Sequence, residues 1–358
     1  MPGYLVIEGV SSNKQEGEKT GEKKKGKIEL SEISYCPIKG RVAVLKPFID
    51  KITITYKIAD QELTATLVES LLQEADKEQG HFKKAAQFKT GAVSYGASVN
   101  LIVPPGDAQV LIQAGPKKKG ITHALRLEFN PSRLGKPGIA FLKTQIDSLV
   151  FGPVVSDDLS FDDIIEKGTV TRVDIAVDVV GIRVDKLDVR FLGDGKSHWY
   201  YSNKGQPETG YYGIKQNKKK QNSPAPWVTY NKRQEIKDKG PEGGKQLYGG
   251  LSHTRIEFHA IQKKPFAKLG TLANPFDTIS LAYPQAPKGI KPYAWTFFLD
   301  ACHRRGREKA LQTISEITTR KKYAAALDEA HKAFWKPEQI WKHWPAAVQQ
   351  LGLLTTCS

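Results

Sequence analysis

Four short segments share one pattern, and it constrains the fold more than any other feature of the chain. They read LRLEF at 125–129, RVDIAVD at 172–178, VTYNK at 228–232 and RIEFH at 255–259. Alternate residues of a strand point to opposite faces. In the second segment Val173, Ile175 and Val177 share one face, and Arg172, Asp174 and Asp178 share the other. In the fourth, Ile256 and Phe258 oppose Arg255, Glu257 and His259. In the third, Val228, Tyr230 and Lys232 lie together. An antiparallel sheet with helices packed on one side produces such alternation. The expectation is an α+β fold with an open polar platform on the uncovered side. Ordinary amphipathic strands with solvent-side ion pairs would give the same alternation. That reading weakens because Arg126, Arg172 and Arg255 are each followed two places later by a carboxylate.

The strands have an order that hints at duplication. IDKITITY at 49–56 leads on to LRLEF, and RVDIAVD leads on to RIEFH. Two similar halves joined in one sheet would explain it. Gln61–Asp76 has helical spacing, with Leu63, Leu67, Leu71 and Leu72 on one side. After a Pro/Gly-rich stretch around 283–292 the pattern becomes helical throughout. Residues 11–27 contain no large apolar side chain. The expected organisation is a flexible basic arm over 1–28, an α+β domain over 29–290 and a helical C-terminal region over 291–358.

Charge narrows the partners. The chain has 54 Lys and Arg against 38 Asp and Glu, a formal charge of +16. Nucleic acid is the simplest partner for that surplus. No apolar run approaches a membrane span, and the first residues carry no secretory pattern. Three widely spaced cysteines, Cys36, Cys302 and Cys357, give no disulfide framework. A cytoplasmic setting without membrane contact is expected. Zinc-finger, P-loop, GxSxG and paired-histidine metal patterns are absent from the sequence.

The polar face could support chemistry. Carboxylates converging from neighbouring strands suit a hard cation such as Mg²⁺ or Mn²⁺. Asp174 and Asp178 on one strand lie ~13 Å apart at ~3.3 Å per residue. Asp174 with Glu257 is therefore the better pair, and Asp178 a third member. A plain ion pair of Asp174 with Arg172 or Arg255 is equally open. Tyr230 is a competent phosphodiester nucleophile if a base, cation or metal offsets its high pKa, although most strand tyrosines are packing residues. Residues 199–226 mix aromatics with Lys215, Lys218, Lys219 and Lys220. Such a segment can stack unpaired bases and follow phosphates, or it is a long basic hairpin loop.

In order along the chain, IDKITITY, TRVDIAVDV at 171–179, YYGIKQ at 211–216, WVTYNKRQE at 227–235 and HTRIEFH at 253–259 resemble the replication initiation factor family of the Rep-trans type. These are rolling-circle initiators of plasmids and filamentous phages, with relaxases of some integrative elements. The resemblance covers roughly 49–260. Asn231 stands where the family has an acidic residue after the tyrosine, and Val228 and Thr229 replace its arginine-bearing approach. The resemblance implies that Tyr230 attacks origin DNA, forming a 5′-phosphotyrosine and a 3′-hydroxyl primer. It implies metal held by Asp174, Glu257 and Asp178, with Lys232, Arg172 and Arg255 offsetting phosphate charge. Partly single-stranded origin DNA is then the partner; a host helicase and a homodimer are compatible with it. Two other readings stay open: a non-enzymatic nucleic-acid-binding protein on the same face, and a metal-dependent nuclease that activates water.

Overall fold

The structure, a computed structural model, describes residues 3–10, 23–58, 61–85, 95–106, 108–117, 124–151, 160–203, 205–215, 225–238 and 247–353. The strands are β1 (Tyr4–Val10), β2 (Lys23–Glu29), β3 (Ile33–Ile38), β4 (Val42–Leu45), β5 (Phe48–Lys57), β6 (Phe82–Lys84), β7 (Tyr95–Val103), β8 (Ala108–Pro116), β9 (Ala124–Phe129), β10 (Thr169–Val180), β11 (Asp188–Phe191), β12 (Lys196–Tyr201), β13 (Pro207–Ile214), β14 (Trp227–Asn231), β15 (His253–Pro265) and β16 (Ile279–Ala282). The helices are α1 (Gln61–Asp76), α2 (Pro131–Phe151), α3 (Phe161–Lys167), α4 (Lys232–Asp238), α5 (Pro292–Arg305), α6 (Arg307–Gln312), α7 (Ile317–Phe334), α8 (Pro337–Trp341) and α9 (Trp344–Gln349). The fold is α+β, with a 12-stranded antiparallel sheet.

Two compact units are present. The first comprises Met1–Pro47, Ala176–Phe258 and Ala273–His343; the second comprises Phe48–Ile175, His259–Leu272 and Trp344–Ser358. The same strand order occurs twice: β5-β9-β8-β7-β6, and β10-β15-β14-β13-β12. In each run the first strand in sequence pairs with the last, and the chain then steps back strand by strand. IDKITITY and LRLEF are hydrogen-bonded neighbours, with Ile52 opposite Phe129 and Ile54 opposite Leu127.

In the second unit, helices α1 and α2 pack on strands β5, β7 and β8. Helix α1 buries Thr64, Leu67 and Leu71, the face its spacing predicts. Helix α2 contains Pro137 within its span. It is interrupted at Gly135, whose φ of 59° is a backbone state that glycine adopts readily. A capping box of Ser160 and Asp163 opens α3.

In the first unit the expected flexible arm is in part a hairpin. Strands β1 and β2 pair from Tyr4 opposite Glu29 to Val10 opposite Lys23. Residues 11–22 lie outside the described residues. Within β2, Gly26 and Ile28 are buried and Lys27 is exposed. The lysine-rich composition hid this alternation. Ile7 and Ile28 join Ala43, Leu45, Val180 and Leu251 in one apolar cluster, burial that stabilises the hairpin where composition alone predicted solvation. Gly26 permits a close approach. A Cβ there would meet Leu251 Cδ1 at 2.4 Å and the Tyr248 carbonyl oxygen at 2.7 Å. Gly26→Ala is therefore expected to lower stability by about 1–3 kcal/mol. Urea unfolding measures this, and an unchanged midpoint would show that the hairpin does not pack as described.

The C-terminal helices exist, but the boundary near 290 does not coincide with a division between units. Residues 273–343 belong to the first unit and 344 onward to the second. Helices α5, α6 and α7 share a core of Trp295, Phe298, Cys302, Ala310, Leu311, Tyr323 and Leu327. Helix α7 docks on the β11–β16 pair through His331, which bonds Asp188 at 2.8 Å and Ser280 at 2.9 Å. Trp335 and Trp344 are buried. Their indole N–H groups donate to the Phe276 and Leu269 carbonyls at 3.3 and 2.7 Å. Among the described residues no helix is long and apolar enough to cross a membrane.

Candidate active site

Strands β14 and β15 pair so that Tyr230 lies opposite Arg255 and Val228 opposite Glu257. Cross-strand partners share a face, so Tyr230, Arg255 and Glu257 come together as the alternation predicts. The Tyr230 hydroxyl donates to Glu257 Oε1 at 2.6 Å. Lys232 Nζ donates to the same hydroxyl oxygen at 3.4 Å and lies 5.5 Å from the ring centroid. Asn231 explains how Lys232 comes so close. Its Oδ1 accepts from the Gln234 amide at 3.2 Å as α4 begins. Asn231 thus starts a helix directly after the tyrosine. Lys232 is held by Glu235, one turn on, at 2.5 Å. Burial pushes the Tyr230 phenol well above its usual value, and the Glu257 carboxylate raises it further. At neutral pH the hydroxyl keeps its proton and points it at a carboxylate.

The expected open platform is closed at several of its residues. Asp174, Asp178, Arg255 and Glu257 are all less than 9% exposed. Asp178 is fully enclosed and accepts from Arg255 Nε at 2.7 Å and Nη2 at 2.9 Å. The Tyr248 hydroxyl donates to it at 2.8 Å. Burial would raise the Asp178 carboxyl, but Arg255 outweighs it and the pKa falls. Tyr248 was missed by sequence reading. It heads a turn in which Tyr248, Gly249 and Gly250 all have positive φ, 51°, 60° and 77°. The Gly-Gly pair was the available signal for that turn. His253 packs edge-on to Tyr248 at 5.0 Å. Burial lowers its pKa, so it stays neutral, with Nδ1 bonded to the Leu251 carbonyl at 3.1 Å.

These partners bear on the other expected roles. Arg255 pairs with Asp178 and, at 5% exposure, is buried; the resemblance implied that it offsets phosphate charge on an open face. In the second unit, Arg172 holds Asp174 through two bonds of 2.8 and 2.7 Å. Lys215 is exposed at the end of the described part of its loop. Lys218, Lys219 and Lys220 lie outside the described residues.

Asp174 and Asp178, two of the carboxylates expected to hold Mg²⁺ or Mn²⁺, are already engaged by arginines. Both oxygens of Asp174 and both of Asp178 accept from guanidinium forks, which already neutralise them. Among the described residues no group of three His, Cys, Asp or Glu is placed to hold a metal.

The duplicated strand order supplies an internal comparison. On β8 and β9 of the second unit, Gln113 lies opposite Arg126, and Leu111 opposite Glu128. Gln113 thus occupies the register position that Tyr230 holds against Arg255. There Arg126 bonds both Gln113 and Glu128, and Thr53 donates to Glu128 at 3.2 Å. Burial raises the Glu128 carboxyl, but Lys51 and Arg126 together hold it below its usual range. One half carries an ionisable hydroxyl on a carboxylate; the other carries an amide in a satisfied network. Only the first can act as a nucleophile.

Compared with family models and with curated proteins, the chain matches none.

Proposed function

We propose that the protein nicks and rejoins DNA through Tyr230, acting as a rolling-circle replication initiator. The observation that carries this reading is the 2.6 Å bond from the Tyr230 hydroxyl to Glu257, with Lys232 beside the same oxygen. A nucleophile on a base, with a cation beside it, is the arrangement that phosphoryl transfer by a protein hydroxyl needs. Glu257 takes the phenolic proton as Tyr230 Oη attacks phosphorus. The Oη–P bond forms, the P–O3′ bond breaks and the 3′-oxygen leaves, taking a proton from Glu257 or water. Lys232 offsets the charge that develops on the phenolic oxygen and the phosphate. The product is a 5′-phosphotyrosine and a free 3′-hydroxyl. Attack by a 3′-hydroxyl on the phosphotyrosine reverses the step, with Glu257 as base again. The net charge of +16 supports a polyanionic substrate.

The test is covalent capture. Full-length protein is incubated with supercoiled DNA of its own replicon in Mg²⁺, Mn²⁺ or chelator, then denatured. A labelled DNA–protein adduct that protease removes, absent from Tyr230→Phe, is the expected result. DNA retention without any adduct would overturn the reading and leave a nucleic-acid-binding protein. Cutting that survives Tyr230→Phe would replace the tyrosine by water or by another residue.

A further inference from the structure

The first unit contains a cavity of about 590 Å³ where the edge strand β12 and strand β11 meet the α5–α6 turn. The reading above makes no use of it. Its wall presents Trp199 and Tyr201 from β12 and four arginines, Arg190, Arg304, Arg305 and Arg307. Trp199 stands 5.0 Å from His303 and edge-on to buried Tyr212 at 5.8 Å. The Arg304 guanidinium lies over the Tyr201 ring at 4.8 Å.

The charge is incompletely balanced. Arg190 and Arg307 share one carboxylate, Asp328, at 3.0 and 2.7 Å. Arg304 pairs with Asp300 at 2.9 Å. Arg305 is exposed, and no described carboxylate pairs with it. Among the described residues the lining has one carboxylate, Asp188, and it is bonded to His331. Three buried polar atoms of this wall also have no hydrogen-bond partner among the described residues: Arg190 Nε, Arg307 Nε and Tyr201 Oη. Buried unsatisfied donors are rare, and each calls for an explanation. Arginine forks match phosphate oxygens, and aromatic faces match planar bases. A volume of this size lies within the range of small-ligand sites.

We propose that this cavity binds one nucleotide unit, with its phosphate on the arginines and its base against Trp199 or Tyr201. The unit is either a free nucleotide or one residue of a single strand. The site is independent of Tyr230 and stands whether or not that tyrosine reacts.

Full-length protein is titrated by fluorescence anisotropy with labelled oligo(dT), with dTMP and inorganic phosphate as competitors. Arg305→Glu, exposed and without a described partner, is expected to weaken oligonucleotide binding roughly tenfold or more. Trp199→Ala is expected to do the same, and Trp199→Phe to restore part of it. Lys264→Glu, an exposed lysine outside the cavity, controls for general charge. Competition by dTMP identifies a free-nucleotide site; oligonucleotide binding that dTMP does not displace identifies a strand site. Phosphate competing as well as dTMP would overturn base recognition. Equal losses in Arg305→Glu and Lys264→Glu, or no loss in either pocket variant, would overturn the site.

Discussion

Tyr230→Phe is expected to abolish covalent DNA capture and to lower nicking by roughly 10⁴-fold or more, as loss of a nucleophile does elsewhere. The substitution removes one oxygen and keeps the ring, so the strand pairing of Tyr230 with Arg255 stays. Glu257→Gln tests the second half of the mechanism. It keeps the shape of the acceptor and removes the base, for an expected loss of ~10²–10⁴-fold. The two variants should differ in pH response. Burial holds the Tyr230 phenol above its usual value, so phenolate does not accumulate at neutral pH and the wild type relies on Glu257. Without that base, deprotonation falls to hydroxide, and the Glu257→Gln rate is expected to climb about tenfold per pH unit. Tyr230→Phe has no proton to lose and stays flat. Single-turnover nicking between pH 7 and 9 measures both. A Glu257→Gln rate that does not rise with pH would remove Glu257 from the base role and leave it a structural acceptor.

The sheet and its faces were legible because they rest on period-two alternation. RVDIAVD and RIEFH became strands with the expected side chains on one face, VTYNK did so as far as Asn231, with Lys232 opening α4 instead, and the order IDKITITY, LRLEF, RVDIAVD, RIEFH reflected a real duplication of strand order. What the alternation could not reveal was what covers that face. Asp178 is as polar in a strand pattern when enclosed as when solvated. Its partner Tyr248 lies in a turn 70 residues away. Glu257 illustrates the same limit. Its place on the face was foreseeable, but its partner was not. The hydroxyl it accepts from follows from the β14–β15 register, which no spacing within one strand specifies. The arginine cavity was least legible, since its members come from 190 to 307 and only the fold brings them together.

The Arg255–Asp178 pair yields the largest expected effect on stability. Arg255→Ala leaves a fully enclosed carboxylate with Tyr248 as its one side-chain donor among the described residues. Removing one partner of a buried pair costs about 3–5 kcal/mol. Arg255→Met combined with Asp178→Leu removes both charges together, and its cost is expected to be far smaller, because desolvation offsets much of the pair's attraction. Some loss remains, since the Tyr248 hydroxyl then lacks its acceptor, at about 1–3 kcal/mol. Acid should act like a partial Asp178 deletion. The carboxyl is depressed in the folded chain, so its contribution is present above the unfolded value of ~3.9 and is lost as pH falls through the lower folded value. Wild-type stability should therefore fall below about pH 4, and the double variant should lose that part of the fall. Urea unfolding of the three proteins at pH 7 and pH 3.5 measures both effects. If Arg255→Ala and the double variant lose equal stability at pH 7, the cost lies in lost packing around the Arg255 side chain, not in the orphaned charge. An acid response identical in wild type and double variant would place the pH dependence on other carboxylates.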